Sequence, residues 1–187
     1  PIHYAARWGH DRIVSVFLDE RAEVEARDIY GNTAIEQAAG AGYETVVSLL
    51  LGEGIDGEIK SRLNRALLAA AAAGKDRVVW LLLDRGADVN AGGGDYGNAL
   101  QAAASFGKEA TVRTLLEQGA EVNAKGGKYG NSLQAAACNG EEAIVRMLVE
   151  RGADVNAKGG KYGSPLQAAA WWGNGATVSL LLERGAE

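Results

Sequence analysis

One word recurs along this chain at a fixed interval. Asn123 to Asn139 reads NAKGGKYGNSLQAAACN, and close copies one 33-residue period away on either side run through Ala91 to Gly107 and through Ala157 to Gly173. A period of that length marks a stack of small supersecondary units, because each unit is too short to bury its own apolar face and must close it against a neighbour. The functional question therefore shifts from which cavity does chemistry to which surface the stack presents.

The period runs from end to end. The apolar residue that opens each unit falls at Ile2, Ile35, Leu67, Leu100, Leu133 and Leu166, with spacings of 33, 32, 33, 33 and 33. A small-residue helix follows each, then a glycine: Gly9, Gly42, Gly74, Gly107, Gly140 and Gly173. A second apolar-periodic segment comes next, such as RVVWLLL or AIVRMLV, and four of these end at Gly86, Gly119, Gly152 and Gly185. Glycine just past a periodic segment is a helix stop. Each unit thus reads as helix, tight turn, helix, then a Gly/Asn/Asp loop. The first helix is alanine on its buried side, as at Ala102, Ala103 and Ala104, so a neighbouring helix can approach closely. The second supplies bulk, as at Val112, Leu115 and Leu116. Neither helix is long enough to be stable alone.

Composition narrows the function classes. A net charge of −5 on 187 residues disfavours a general nucleic-acid binder, which needs a basic face to neutralise phosphates. The single cysteine, Cys138, permits no internal disulfide and fits a reducing, cytoplasmic setting. No apolar run approaches the roughly 20 residues that span a bilayer. The chain opens on Pro1 with no leader-like segment and reads as a piece of a longer protein.

The units resemble ankyrin repeats. The family pattern G-x-T-P-L-H-x-A-A, two free positions, G, V, L-L, G-A-D-V-N-A is met by Ser164, Pro165, Leu166, Ala169 and Ala170, by Pro1, Ile2, His3, Ala5 and Ala6, and by the tails Gly86–Ala91 and Gly152–Ala157. The resemblance implies an all-α solenoid of helix–turn–helix units with short hairpin loops. It divides one domain, 1–187, into six repeats near 1–27, 28–59, 60–92, 93–125, 126–158 and 159–187, the first and last truncated. The wording YGNALQAAA and GAxVNAKGGKYG is also similar to ankyrin arrays at the C-terminal end of fungal NLR-like (NACHT-type) signalling proteins.

There are departures. Gln101, Gln134 and Gln167 stand at the family's histidine position and keep the capacity to bridge to backbone, whereas Glu36 and Leu68 stand there earlier and Leu68 lacks it. The loop aspartate survives at Asp28 but gives way to Gly93, Gly126 and Gly159, leaving those loops freer or held by the tyrosine that follows. The third unit's loop, GIDGEIKSRLNRAL, lacks the Asn-Ala and Gly-Asn signals, which predicts a distorted or helical loop and a local change of curvature.

In this family partners are met mostly by loop tips and by the two free positions of the first helix, on a concave face. Those positions are Arg7 and Trp8, Gly40 and Ala41, Ala72 and Ala73, Ser105 and Phe106, Cys138 and Asn139, and Trp171 and Trp172. They vary inside a constant frame, as recognition would produce and as drift would too. Large aromatics are the stronger hot-spot candidates, so Trp171, Trp172 and Phe106 lead. At the tips, Tyr96, Tyr129 and Tyr162 recur at the period and should form an aromatic ladder along one edge. Lys125, Lys128, Lys158 and Lys161 flank two of them, four of the chain's seven lysines, giving an acidic protein a local basic strip suited to an acidic partner. The competing reading is that each tyrosine packs its own turn and each lysine is a solvated tip.

Catalytic, cofactor and metal sites are not expected. Two histidines, His3 and His10, and one cysteine are too few for a zinc site, and His3 sits at the family's structural position. The string GGGDYG lacks the Lys-Ser/Thr of a phosphate loop. Trp80 falls on a second helix, as outer packing. The sequence therefore reads as a protein-recognition scaffold belonging to a larger intracellular protein, with a structural spacer or a platform that self-associates through uncapped ends as the alternative. The similarity of the fourth and fifth units, about two-thirds identical, favours that alternative.

Overall fold

The computed structural model describes residues 1–52 and 59–187. They form two compact bodies, Pro1–Asp88 and Val89–Glu187. In the first, helix pairs follow the sequence units: α1 (Ile2–Arg7) with α2 (Asp11–Asp19), α3 (Ala34–Ala41) with α4 (Glu44–Leu51), and α5 (Ile59–Ala73) with α6 (Asp76–Asp84). In the second, a hairpin of β1 (Gly92–Gly93) and β2 (Gly97–Asn98) precedes α7 (Ala99–Ser105) and α8 (Glu109–Glu117). Then come α9 (Ser132–Asn139) with α10 (Glu142–Glu150), and α11 (Pro165–Trp171) with α12 (Gly175–Glu183).

Each body stacks these pairs in two rows. First helices pack on first helices, α1 on α3 and α3 on α5, then α7 on α9 and α9 on α11. Second helices form the other row, α2, α4 and α6 in one body and α8, α10 and α12 in the other. Alanine makes the first row possible. Ala38, Ala39, Ala102, Ala103, Ala104, Ala135, Ala136 and Ala137 are all fully buried. Val79, Leu82, Val112, Leu115, Val145 and Leu148 fill the space between the rows. The opening residues Ile2, Ile35, Leu67, Leu100 and Leu133 are buried, while Leu166 is half-buried.

Side-chain amides tie successive loops. Asn90 donates to the Gly119 carbonyl and accepts from the Glu121 amide. Asn123 repeats this with Gly152 and Asp154, and Asn156 with Gly185 and Glu187. Each first helix in the second body is capped by its own opening side chain: Asn98 accepts from the Gln101 amide, Asn131 from Gln134 and Ser164 from Gln167.

The bridging expected at the histidine position is present at His3, Gln101 and Gln134, while the Gln167 side chain is exposed. His3 Nε2 lies 2.7 Å from the Ala26 carbonyl, Gln101 Nε2 donates to Ala124 at 2.8 Å, and Gln134 Nε2 donates to Gly159 at 2.8 Å and Gly163 at 3.0 Å. Asp28 accepts from the Tyr30 and Asn32 amides, and that backbone bonding, Asn32 first, holds its carboxyl below the usual carboxylate range.

The irregular third loop is helical where it is described. Ile59 to Arg65 run straight into the first helix of the third unit, so α5 has 15 residues against 6 to 8 in its counterparts. The extra turns carry Arg62 and Arg65, which pair with Glu25 at 2.6 and 2.8 Å, and Arg65 also pairs with Glu36 at 2.9 Å. Lacking the hairpin signals, the segment takes the conformation its Lys, Arg and Leu residues favour. The part of the loop at 53–58 lies outside the described residues.

Candidate recognition surface

The strip of interest lies wholly in the second body, and glycine decides its geometry. The tips around Tyr96, Tyr129 and Tyr162 are pinned together through backbone: the Lys128 amide donates to the Asp95 carbonyl at 2.7 Å, and the Lys161 amide to the Lys128 carbonyl at 3.0 Å. Gly160 (φ +63°) lies so close to the tip before it that a Cβ there would stand 2.0 Å from the Tyr129 carbonyl oxygen; one on Gly127 (φ +60°) would stand 2.5 Å from the Tyr96 carbonyl carbon. The tips are held by this tip-to-tip backbone contact.

The rings then form one chain. Phe106 sits 5.0 Å from Tyr96, Tyr96 sits 6.5 Å from Tyr129, and Tyr129 sits 6.5 Å from Tyr162, centroid to centroid. Tyr162 meets both Trp171 and Trp172 at 6.3 Å. The ladder expected from the period is present, and the helix-borne aromatics extend it at both ends. Lys128 Nζ lies 4.4 Å from the Tyr96 centroid and 4.9 Å from that of Tyr129, and Lys161 Nζ lies 5.4 Å from that of Tyr162. Burial works against the Lys128 charge, but the neighbouring Tyr129 and Tyr96 outweigh it and set its pKa above the ordinary value. An open pocket of about 550 Å³ lies at the end of the strip, lined by Lys161, Tyr162, Gln167, Ala170 and Trp171.

The expected contact residues divide. Trp171 (75% exposed), Trp172 and Phe106 present their rings, and Lys125, Lys158 and Asn139 are exposed. Asn139 also spends its amide on the Ala135 carbonyl of its own helix. Ser105 and Cys138 correct the expectation of free positions: they are only 7% and 4% exposed. Cys138 lies under Tyr162 and Trp172, and burial pushes its thiol up, with Tyr162, Trp172, Lys128 and Lys161 acting in the opposite sense. Arg7 and Trp8 are exposed in the first body, around an open cavity with Tyr30, Glu36, Gln37 and Tyr43, and Trp80 is half-exposed on α6.

Gln167 and Ala170, which line the pocket, were not among the contact residues expected from sequence. Nor were Gly127 and Gly160, although the doubled glycine before each Lys-Tyr-Gly is the signal that marks them. Among the described residues no group of three or more His, Cys, Asp or Glu side chains could hold a metal, and no helix is long and apolar enough to cross a membrane.

Paired helices stacked in two rows, joined by hairpin tips and tied by periodic amides, define a helix–turn–helix repeat solenoid. A family model for ankyrin repeats matches three times, over residues 1–61, 60–126 and 125–187, and the chain belongs to the ankyrin-repeat family. It is similar along its whole length to a solved ankyrin repeat domain from Acinetobacter baumannii AYE, with 31% identity, 98% of that chain covered and a TM-score of 0.74. The human ASB11 ankyrin repeat domain shares the fold at TM-score 0.80 and 23% identity, with all of this chain and 84% of that one covered. Among curated proteins, a 51-residue stretch, 27% of this chain, is 43% identical to the probable E3 ubiquitin-protein ligase XBOS32 of Oryza sativa subsp. japonica. A stretch of the same length matches the E3 ubiquitin-protein ligase XBAT33 of Arabidopsis thaliana at the same identity. The match spans a tenth of the length of each. Ankyrin repeats are in general protein–protein interaction modules, and their fold is a non-catalytic scaffold.

Proposed function

We propose that this chain is the partner-recognition segment of a larger intracellular protein and that it binds a protein on its concave side, along the strip from Phe106 to Trp172. The observation that carries the reading is the unbroken run of six aromatic rings, with two lysine cations held among them. Packing a turn accounts for a tyrosine at each tip. It does not account for two tryptophans left more than half exposed at the end of the run, where large rings are strong contributors to binding. Lys125, Lys128, Lys158 and Lys161 belong to the surface, as do Tyr96, Tyr129, Tyr162 and Asn139. Ser105 and Cys138 support it from beneath. Arg7 and Trp8 are a separate candidate contact on the first body. The wording shared with fungal NLR-like arrays supports a signalling role for the parent protein.

The experiment is the double substitution Trp171→Ala, Trp172→Ala. Loss of partner capture with an unchanged melting curve supports recognition. A lower melting temperature with capture retained makes the rings packing and favours a structural spacer. The exposed Tyr4, Ile13 and Val16 on the first helix pair and Leu182 on the last support a second reading, end-to-end self-association. Light scattering across concentration tests it: an increase in mass that an Ile13→Ser, Leu182→Ser variant abolishes is its signature.

A further inference from the structure

We propose that the occupant of the strip is an extended acidic peptide, running along the ladder with Asp or Glu at every second position. This deepens the recognition reading and rests on it. Three independent observations carry it.

The first is register. The two tyrosine-to-tyrosine steps are both 6.5 Å. An extended chain advances about 3.3 Å per residue and returns to the same face every second residue, a step of about 6.6 Å. One side chain of a strand therefore meets one rung, and the match persists from rung to rung. A helix repeats its facing residues at about 5.4 Å along a body about 10 Å wide, so it loses register and cannot lie close along a row of tips.

The second is charge. Asn123 to Asn131 carry Lys125 and Lys128 and no acid, and Asn156 to Ser164 carry Lys158 and Lys161 and no acid. The tip of the fourth unit, Asn90 to Asn98, carries Asp95 and no base. The strip thus reads −1, +2, +2 along its length, within a chain of net charge −5. Acidic side chains suit the tips of the fifth and sixth units, and the peptide should turn neutral or apolar towards Tyr96 and Phe106. Lys128 is already positioned, its cation between two rings, so little side-chain freedom is lost when a carboxylate reaches it.

The third is an anchor. The pocket of about 550 Å³ beside Trp171 is walled by Tyr162, Lys161, Gln167 and Ala170. It is large enough for an apolar side chain, with an ammonium at its rim for a neighbouring carboxylate. Stacked rings and lysines also suit single-stranded nucleic acid. That occupant would set phosphates against Asp95 and approach a chain of overall negative charge, so the peptide is favoured.

The test uses the intact chain and fluorescein-labelled octapeptides read by anisotropy. The probes are alternating Glu-Thr, alternating Lys-Thr, and a block peptide of the same composition in Glu-Glu-Thr-Thr order, with oligothymidylate alongside. The expected result is that the alternating Glu peptide binds about tenfold tighter than the block peptide, and that the Lys peptide does not bind. Raising salt from about 20 to about 200 mM should weaken binding. Lys128→Met with Lys161→Met should weaken it by about tenfold or more, in a protein whose circular dichroism and melting are unchanged. Equal affinity for the block and alternating peptides overturns the register. Tighter binding of oligothymidylate overturns the peptide. If no acidic peptide binds but Trp171→Ala, Trp172→Ala still abolishes partner capture, this inference falls and the recognition reading stands. If capture is also indifferent to the tryptophans, both fall.

Discussion

Gln134 reaches across a repeat boundary to Gly159. Its side-chain amide, fully buried, donates to that carbonyl at 2.8 Å and to the Gly163 carbonyl at 3.0 Å, so one side chain holds both arms of the next hairpin. In the first unit His3 Nε2 lies 2.7 Å from the Ala26 carbonyl, in the next loop in the same way. The stack is joined by this contact as well as by apolar burial.

Replacing Gln134 by Leu keeps the bulk and takes away the donor to the Gly159 carbonyl, while the Gly163 carbonyl still accepts from the Gly159 amide. Such a loss costs about 1–3 kcal/mol. The urea midpoint followed by circular dichroism should fall accordingly. Gln134→His, which restores a donor of the kind His3 offers, should recover much of the difference. Equal midpoints for Leu and His would mean that the bridge contributes nothing.

Arg21 is the only non-glycine residue among those described with a positive φ, +57°. It occupies the place where the later units carry Gly86, Gly119, Gly152 and Gly185. The left-handed conformation costs an L-residue about 1–2 kcal/mol, and glycine returns about 0.5–1 kcal/mol of that as chain entropy. Arg21→Gly should therefore stabilise the chain by up to about 1 kcal/mol, raising the melting temperature by about 2–4 °C. Arg21→Ala should not. A gain shared by the alanine variant would point to charge rather than backbone.

Cys138 should be a slow thiol. Burial raises its pKa, so at a given pH less of it is thiolate than of a free cysteine, and the rings of Tyr162 and Trp172 cover it. Reaction with a chromogenic disulfide reagent near neutral pH should be at least about tenfold slower in the folded chain than in urea. The rate should keep rising with pH beyond the ordinary thiol range. Trp172→Ala should speed it. A native thiol that reacts as fast as the unfolded one would show that the rings do not close over it.

Much of the fold was legible because a repeat states its own rules several times. The alanine runs, the glycine stops and the opening Ile or Leu fixed where each helix would lie, and the tyrosine period announced a ladder. The expectation failed at Ser105 and Cys138. A family's pair of free positions is defined along one helix, but whether each is covered depends on what the next unit places over it. Tyr162 and Trp172 are 24 and 34 residues beyond Cys138, and no local pattern carries that information.

The order of helices, the class of the array and the presence of a bridging amide at Gln101 and Gln134 belong to the sequence. They follow from the spacing of the units and from the residue types that recur at the same place in each. The 6.5 Å steps, the seat of Lys128 between two rings, the joining of Phe106, Trp171 and Trp172 to the tyrosines and the covering of Cys138 belong to the tertiary structure. Those depend on how closely one tip can approach the last, and that distance is set by backbone contacts at Gly127 and Gly160 that exist only once the units are stacked.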